Sequence, residues 1–406
     1  MYLGSCGGQK KSSNTLAPKS ASESANPIAC QKAALKGICS KNILTALCVR
    51  LPPYCPNNIT GFIRVIHSLR RWQPLSAEAH PFDIHAFDAS RLDIPSLLAG
   101  AAQAQALQGW TIIPAHRSQH STIYRADPTN PTEFPVLSIK LYHRHDLPRA
   151  TREEAIMGAL QEFGVGIGPR PFYANETPDG LNDPVLISEW VHGTPLKNAP
   201  PVTDEEMWHR LMTALGIIKH LQFAFTAPSV PMMGNGAQQP KDALAMLDTA
   251  LSILSPNHPA YETLAHLASR AHATIAPEWA KPPRIGLNRF DLEMNHFIWD
   301  GHHLRTVGFE NTDWADTAYD IGQFCAHPLY EEVPPSHWVW FRWEFARLFH
   351  EEEIIFRSTT YSQIAYVLWA IRLTEKADSS TDPAQQSRLY AQRDRYLKKA
   401  QKAFTG

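Results

Sequence analysis

Two short apolar runs, Phe297-Ile298-Trp299 and Leu304-Arg305-Thr306-Val307-Gly308-Phe309, flank the dipeptide Asp300-Gly301. Asp-Gly between apolar runs signals a β-hairpin, because a tight turn needs residues that tolerate positive φ. This hairpin interrupts a stretch, from about residue 203 to the end, that is otherwise helical in pattern and rich in Leu, Ala and aromatics. The texture upstream differs. Residues 110–113, 121–125, 136–141 and 185–190 are β-branched or alternating and are separated by polar, Pro-rich turns. Among them the spacing of Ile156, Met157, Leu160 and Phe163 predicts a helix over 150–163, and a shorter amphipathic helix is expected over 94–107. Pattern alone therefore gives an α+β chain: a small β-rich lobe, then a larger helical lobe holding one hairpin. No internal repeat is found.

Composition bounds the rest. Hydrophobic residues at 44% supply a core for a chain of 406 residues, and the formal charge of -1 gives no general field for nucleic acid or an anionic membrane. No run approaches the length of a membrane span. Residues 1–26 carry almost no large apolar side chains and are expected to be disordered. Five of the six cysteines lie in the first 55 residues, at spacings that do not suit tetrahedral zinc. Cys325 stands alone in the remainder, so nothing there depends on disulfides and the cytoplasm is the expected location. Three regions are expected: an irregular extension over 1–80, a β-rich lobe over 81–190 and a helical lobe over 191–406.

The chemistry gathers around the hairpin. Before it lies Leu287-Asn288-Arg289-Phe290-Asp291-Leu292-Glu293-Met294-Asn295-His296. After it come Val307-Gly308-Phe309-Glu310-Asn311 and Asp316-Thr317-Ala318-Tyr319-Asp320. This order resembles the catalytic core of the aminoglycoside phosphotransferase and choline kinase family. That core has an Asp-bearing loop with Asn five residues on, a hairpin, a metal-binding Asp, and D-x-A-Y-D. Upstream, Lys140 ends an apolar strand and Glu153 follows in a helix, on the face of Met157 and Leu160. Gly168-Pro169-Arg170-Pro171 and Ile187-Ser188-Glu189-Trp190-Val191-His192-Gly193 resemble the family's next turn and hinge.

The resemblance implies a two-lobed, protein-kinase-like fold, with a five-stranded antiparallel sheet and one helix in the first lobe. It implies ATP-dependent transfer of a phosphoryl group to a hydroxyl of a small molecule. Asp291 would orient the hydroxyl and accept its proton. Lys140 would meet the nucleotide phosphates with Glu153 holding it, and the backbone of Glu189, Trp190 and Val191 would meet adenine. Asp316 suits a helix N-cap, and it and Asp320 would support the catalytic loop.

Three features depart from the family. The phosphate-covering stretch Ala115-His116-Arg117-Ser118-Gln119-His120-Ser121 has no glycine. His296 stands where the family has its metal-binding Asn, and Gly308 where it has the metal-binding Asp. Magnesium or manganese would then rely on Glu310 with Asn295 or His296, with Asn311 and Asp313 as further candidates. The alternative expectation is a pseudokinase that binds nucleotide or metabolite, or serves as a scaffold, without turnover. The aromatic run Trp338, Trp340, Phe341, Trp343 and Phe345 is expected to be helical core rather than a cation cage.

Overall fold

The structure is a computed structural model that describes residues 88–101, 109–131, 134–143, 147–162, 166–219, 230, 232–234, 236–290 and 292–404. All of them belong to one unit, residues 55–406. The expectations for residues 1–80, including the leader cysteines, lie outside the described residues.

Helix α1 is Ile94–Ala101, and the rest of the expected 94–107 helix lies outside the described residues. Strands β1 (Trp110–Arg117), β2 (Ser121–Pro128) and β3 (Leu137–Tyr142) follow, then helix α2 (Arg149–Glu162), β4 (Pro171–Asn175) and β5 (Val185–Glu189). They form a five-stranded antiparallel sheet in the order β1-β2-β3-β5-β4. Strand β4 escapes the sequence pattern because all five of its residues are half-buried, so no apolar alternation marks it.

Alternation along β3 sorts its side chains between two faces. Leu137, Ile139 and Leu141 join Ile94, Leu97, Trp110, Ile112, Val185 and Ile187 in a small outer core. Tyr142 faces the other way, into the main core with Ile156, Met157 and Leu160 of α2. Lys140 shares the face of Tyr142. That choice aims its ammonium at α2.

The second lobe contains β6 (Thr194–Pro195), α3 (Glu205–Lys219), α4 (Pro240–Ile253), α5 (Tyr261–Thr274) and β7 (Ile285–Asn288). Next come β8 (Phe297–Trp299), β9 (Leu304–Thr306), β10 (Asp313–Asp316), α6 (Tyr319–Ala326), α7 (Pro335–Phe349), α8 (Glu353–Asp378) and α9 (Pro383–Phe404). The Asp-Gly hairpin is present as β8–β9, and β6 pairs with β8. At its turn the Asp300 carboxylate accepts from the amides of His302 and His303, and Gly301 takes φ +100°. A second ribbon, β7 with β10, sets Asn288 opposite Asp313.

Trp338, Phe341 and Phe345 are buried, with Trp338 and Phe341 meeting Trp208 edge-on at 5.7 Å each, while Trp343 is exposed. The run is packing, not a cage. Asp316 ends β10, and its carboxylate meets Arg357, Trp279, Tyr361 and the Ala318 amide. The N-cap position of α6 is Ala318, so the expected capping role of Asp316 is corrected: it caps the turn before the helix. Burial pushes the Asp316 pKa up to about 6, against the pull of Arg357.

One buried pair joins α2 to the helical lobe. The Arg152 guanidinium donates to the Thr312 carbonyl and lies 3.2 Å from the Asp313 carboxylate, which also accepts from the Met233 amide at 3.0 Å. Both charged side chains are only 1% exposed. Removing one partner of such a pair strands the other in a medium that cannot solvate it. Arg152→Ala is therefore expected to cost about 3–5 kcal/mol, measured by denaturant titration. A loss near zero would show that α2 is held by packing alone.

Candidate active site

Lys140 lies within β3, paired with Ile123 of β2 and Leu186 of β5, so its backbone is fixed from both sides. Its Nζ lies 2.9 Å from Glu153 Oε2 and makes a second ion pair with Glu310. Glu153 also accepts from the Tyr142 hydroxyl on Oε2 and from the Phe309 amide, at 2.9 Å, on Oε1. Three parts of the chain, β3, α2 and the segment after β9, thus meet at one carboxylate. Burial alone would lower the Lys140 pKa, but the charges of Glu153 and Glu310 outweigh it and hold it above the ordinary lysine value. Burial would raise Glu153; the Lys140 charge, with the hydrogen bonds of Lys140, Tyr142 and Phe309, holds it below the ordinary glutamate value. Burial, and then the Glu153 charge, push the Tyr142 phenol well up, so it stays a donor.

The loop before residue 291 is anchored from below. Asp320 accepts from the Arg289 amide at 3.2 Å and pairs with Lys219, whose Nζ also donates to Asn288 Oδ1 at 2.9 Å. The Arg289 guanidinium sits between the rings of Phe297 and Phe309, at 5.2 and 5.1 Å, and donates to the carbonyls of Val307 and Gly308. Phe290 takes φ +56°, a left-handed conformation uncommon for a bulky residue, with its ring 5.5 Å from that of Tyr319. Asp291 itself lies outside the described residues. Arg289, Phe290 and Lys219 were missed by the sequence reading; a buried cation inside an apolar helix run, as at Lys219, was the signal available.

At the hinge, the sheet has already used two of the three amides. Glu189 donates to Arg170 O at 2.8 Å and Trp190 to Val136 O at 2.9 Å, because β5 is paired on both edges. The Glu189 carboxylate clamps Arg305 of β9, at 2.7 and 3.1 Å, and accepts from the Arg170 amide. Its side chain joins the lobes. The Trp190 ring lies 5.6 Å from the Arg125 guanidinium. Among the described residues no backbone acceptor takes the Val191 amide.

A family model described as the phosphotransferase enzyme family, APH, matches residues 111–348, more than half of the chain. The chain belongs to that family. The fold of this phosphotransferase-family protein is shared with solved structures of low identity. One is a Ralstonia eutropha protein classed as an aminoglycoside phosphotransferase, with TM-score 0.54 and 11% identity, covering 77% of this chain and 99% of that one. A choline kinase from Cryptosporidium parvum has TM-score 0.53 and 11% identity, covering 76% and 95%. A thermostable mutant of aminoglycoside phosphotransferase APH(4)-Ia, in ternary complex with ADP and hygromycin B, has TM-score 0.50 and 10% identity, covering 75% and 98%. None of the curated protein sequences matches the chain significantly.

In this phosphotransferase-family protein Gly308 and His296, the two positions expected to depart from the family's metal ligands, lie against each other. Gly308 takes φ +75°, and a Cβ built there would lie 3.4 Å from three atoms of the His296 ring. The imidazole covers the place from which a side chain at 308 would leave. Asn295 is exposed and donates to Glu293 at 3.2 Å, with no contact to Glu310 among the described residues. Asp313 is taken by Arg152, so it is withdrawn as a further metal candidate. Asn311 accepts from Arg149 at 3.3 Å. Among the described residues no three His, Cys, Asp or Glu side chains form a group that could hold a metal ion. An imidazole, a glycine and a carboxylate already paired with lysine do not fit the oxygen-rich octahedron of magnesium. The β1–β2 turn is closed by Ser118, whose hydroxyl accepts from the amides of His120 and Ser121 at 3.1 and 3.0 Å, so those two amides are already used.

The Glu153 pKa is lowered on folding, so its contribution to stability is present above the ordinary value of 4.5 and is lost as pH falls through the lower folded value. Glu153→Gln is expected to be less stable than wild type at neutral pH, with the gap narrowing in acid below that value. Chemical denaturation at a series of pH values measures it, and a gap independent of pH would show that the ion pair is not the source.

Proposed function

We propose that this chain transfers the γ-phosphoryl group of ATP to a hydroxyl of a small molecule. The observation that supports this reading is the buried Lys140–Glu153 pair at 2.9 Å, held charged beside a cavity between the lobes. A buried ion pair of this kind is costly to keep, and an anionic ligand repays it by meeting the ammonium. Lys140 is assigned to the nucleotide phosphates, Glu153 and Tyr142 to holding it, and the Val191 amide to the adenine edge. Asp291 is assigned to the acceptor hydroxyl, whose proton it takes as the oxygen attacks. ATP bound there supplies the phosphoryl group. ADP and hygromycin B in the APH(4)-Ia neighbour accord with a nucleotide site next to a small-molecule site. No step is assigned to magnesium, because positions 296 and 308 do not fit it. Among the described residues no helix is long and apolar enough to cross a membrane.

The test is calorimetric titration of the purified chain with ATP, with and without magnesium or manganese, and γ-phosphate transfer to a panel of hydroxyl-bearing small molecules. ATP binding with transfer supports the reading, and binding without transfer supports the pseudokinase alternative. Absence of nucleotide binding overturns both. Lys140→Ala is expected to lower transfer by roughly 10²–10³-fold; unchanged transfer removes Lys140 from the site.

A second expectation concerns the replaced pair. Gly308→Asp alone meets the His296 ring and a positive φ, whereas Gly308→Asp with His296→Asn clears the ring and restores two oxygen ligands. The double variant is expected to show increased, magnesium-dependent transfer. Unchanged transfer in a folded double variant counts against these two positions as the former metal ligands.

A further inference from the structure

The Lys140 ammonium already has company on every side the structure describes. Glu153 Oε2 lies 2.9 Å away, the centre of the Tyr142 ring 4.7 Å away, and Glu310 adds a second ion pair. An ammonium has three N–H groups, and the Lys140 side chain is only 9% exposed. A phosphate oxygen therefore reaches it only in place of one of these partners.

The two carboxylates are not equally held. Glu153, with its side chain 4% exposed, also accepts from the Tyr142 hydroxyl and the Phe309 amide. Glu310 is 16% exposed, and among the described residues Lys140 is the one cation or donor that meets its carboxylate. Its delivery to Lys140 is built into the backbone. The Thr312 amide donates to the Phe309 carbonyl at 3.0 Å, closing a tight turn with Glu310 and Asn311 at its corners. Adjacent residues of α2 hold both ends of that turn: Glu153 takes the Phe309 amide at 2.9 Å, and Arg152 donates to the Thr312 carbonyl. With the backbone fixed, the Glu310 side chain alone is left to move, and it lines a cavity of about 80 Å³ that gives the carboxylate somewhere to go.

We propose that Glu310 is an internal competitor for the phosphate seat on Lys140, so that a nucleotide binds by displacing it. The carboxylate then acts as a filter. Adenosine has no charge with which to take its place, whereas a polyphosphate has. The proposal rests on the nucleotide reading above. The apparent affinity for ATP is set below the intrinsic one by the fraction of molecules in which the seat is vacant.

The test is calorimetry without metal, using ATP and adenosine, on the full chain and on Glu310→Gln and Glu310→Asp. Lys140 keeps Glu153 in both variants and position 310 lies at a turn, so both are expected to fold, which thermal melting checks. Glu310→Gln is expected to tighten ATP by about 10-fold and to leave adenosine unchanged. Glu310→Asp keeps the charge but shortens the reach, and should tighten ATP by a smaller factor. A gain in Glu310→Gln with none in Glu310→Asp identifies general repulsion of the phosphates and overturns the competition. Equal gains for ATP and adenosine, or wild-type ATP affinity in both variants, overturn it too and leave nucleotide binding standing. Weaker ATP binding in Glu310→Gln shows that the carboxylate assists the nucleotide, which also overturns it. If neither the wild-type chain nor the variants bind ATP, the inference falls together with the function it rests on.

Discussion

Everything in the cleft is arranged around the carboxylate of Glu153. It receives an ammonium from β3, a phenol from the end of the same strand, and a backbone amide from the segment after β9. A charge this deeply buried survives only when its lone pairs are filled, and here they are filled from both lobes. The position of α2 is thereby set by electrostatics as well as by packing, with Arg152 repeating the arrangement one residue earlier. Both contacts reach the segment 307–313, so sheet, helix and hairpin are fixed as one assembly. Glu310 completes it by giving Lys140 a second anion.

Much of this was legible in the sequence. The 3.6-residue period of α2 was enough to put Glu153 on the inward face with Met157 and Leu160, the pairing with Lys140 came from the family resemblance, and the Asp-Gly turn located the hairpin. The small β-rich part followed by a larger helical part was read from pattern alone, whereas the count of five antiparallel strands came from the family resemblance, and the sheet has that number. Other features left no local trace. Strand β4 has no apolar alternation because each of its residues is half-covered. The β7–β10 ribbon pairs residues 25 positions apart or more, Asn288 with Asp313 being the nearest, which no windowed pattern can detect.

The site itself was less legible than the fold. Glu189 stood out as a hinge residue, yet its carboxylate is spent on Arg305, since a half-buried acid at the lobe junction finds the nearest guanidinium. Arg289 was given no role in the run before the hairpin; it proves to be sandwiched by the rings of Phe297 and Phe309. Such roles depend on groups far apart in sequence. Residue type alone does not announce them.

The positive φ of Gly308 outlasts any change at position 296. A side chain at 308 would meet the His296 ring at an ordinary contact distance of 3.4 Å, but it would also have to take up a left-handed backbone that L residues rarely adopt. Replacing the ring removes the first contact and leaves the second constraint, so the backbone itself favours glycine here whichever residue stands at 296.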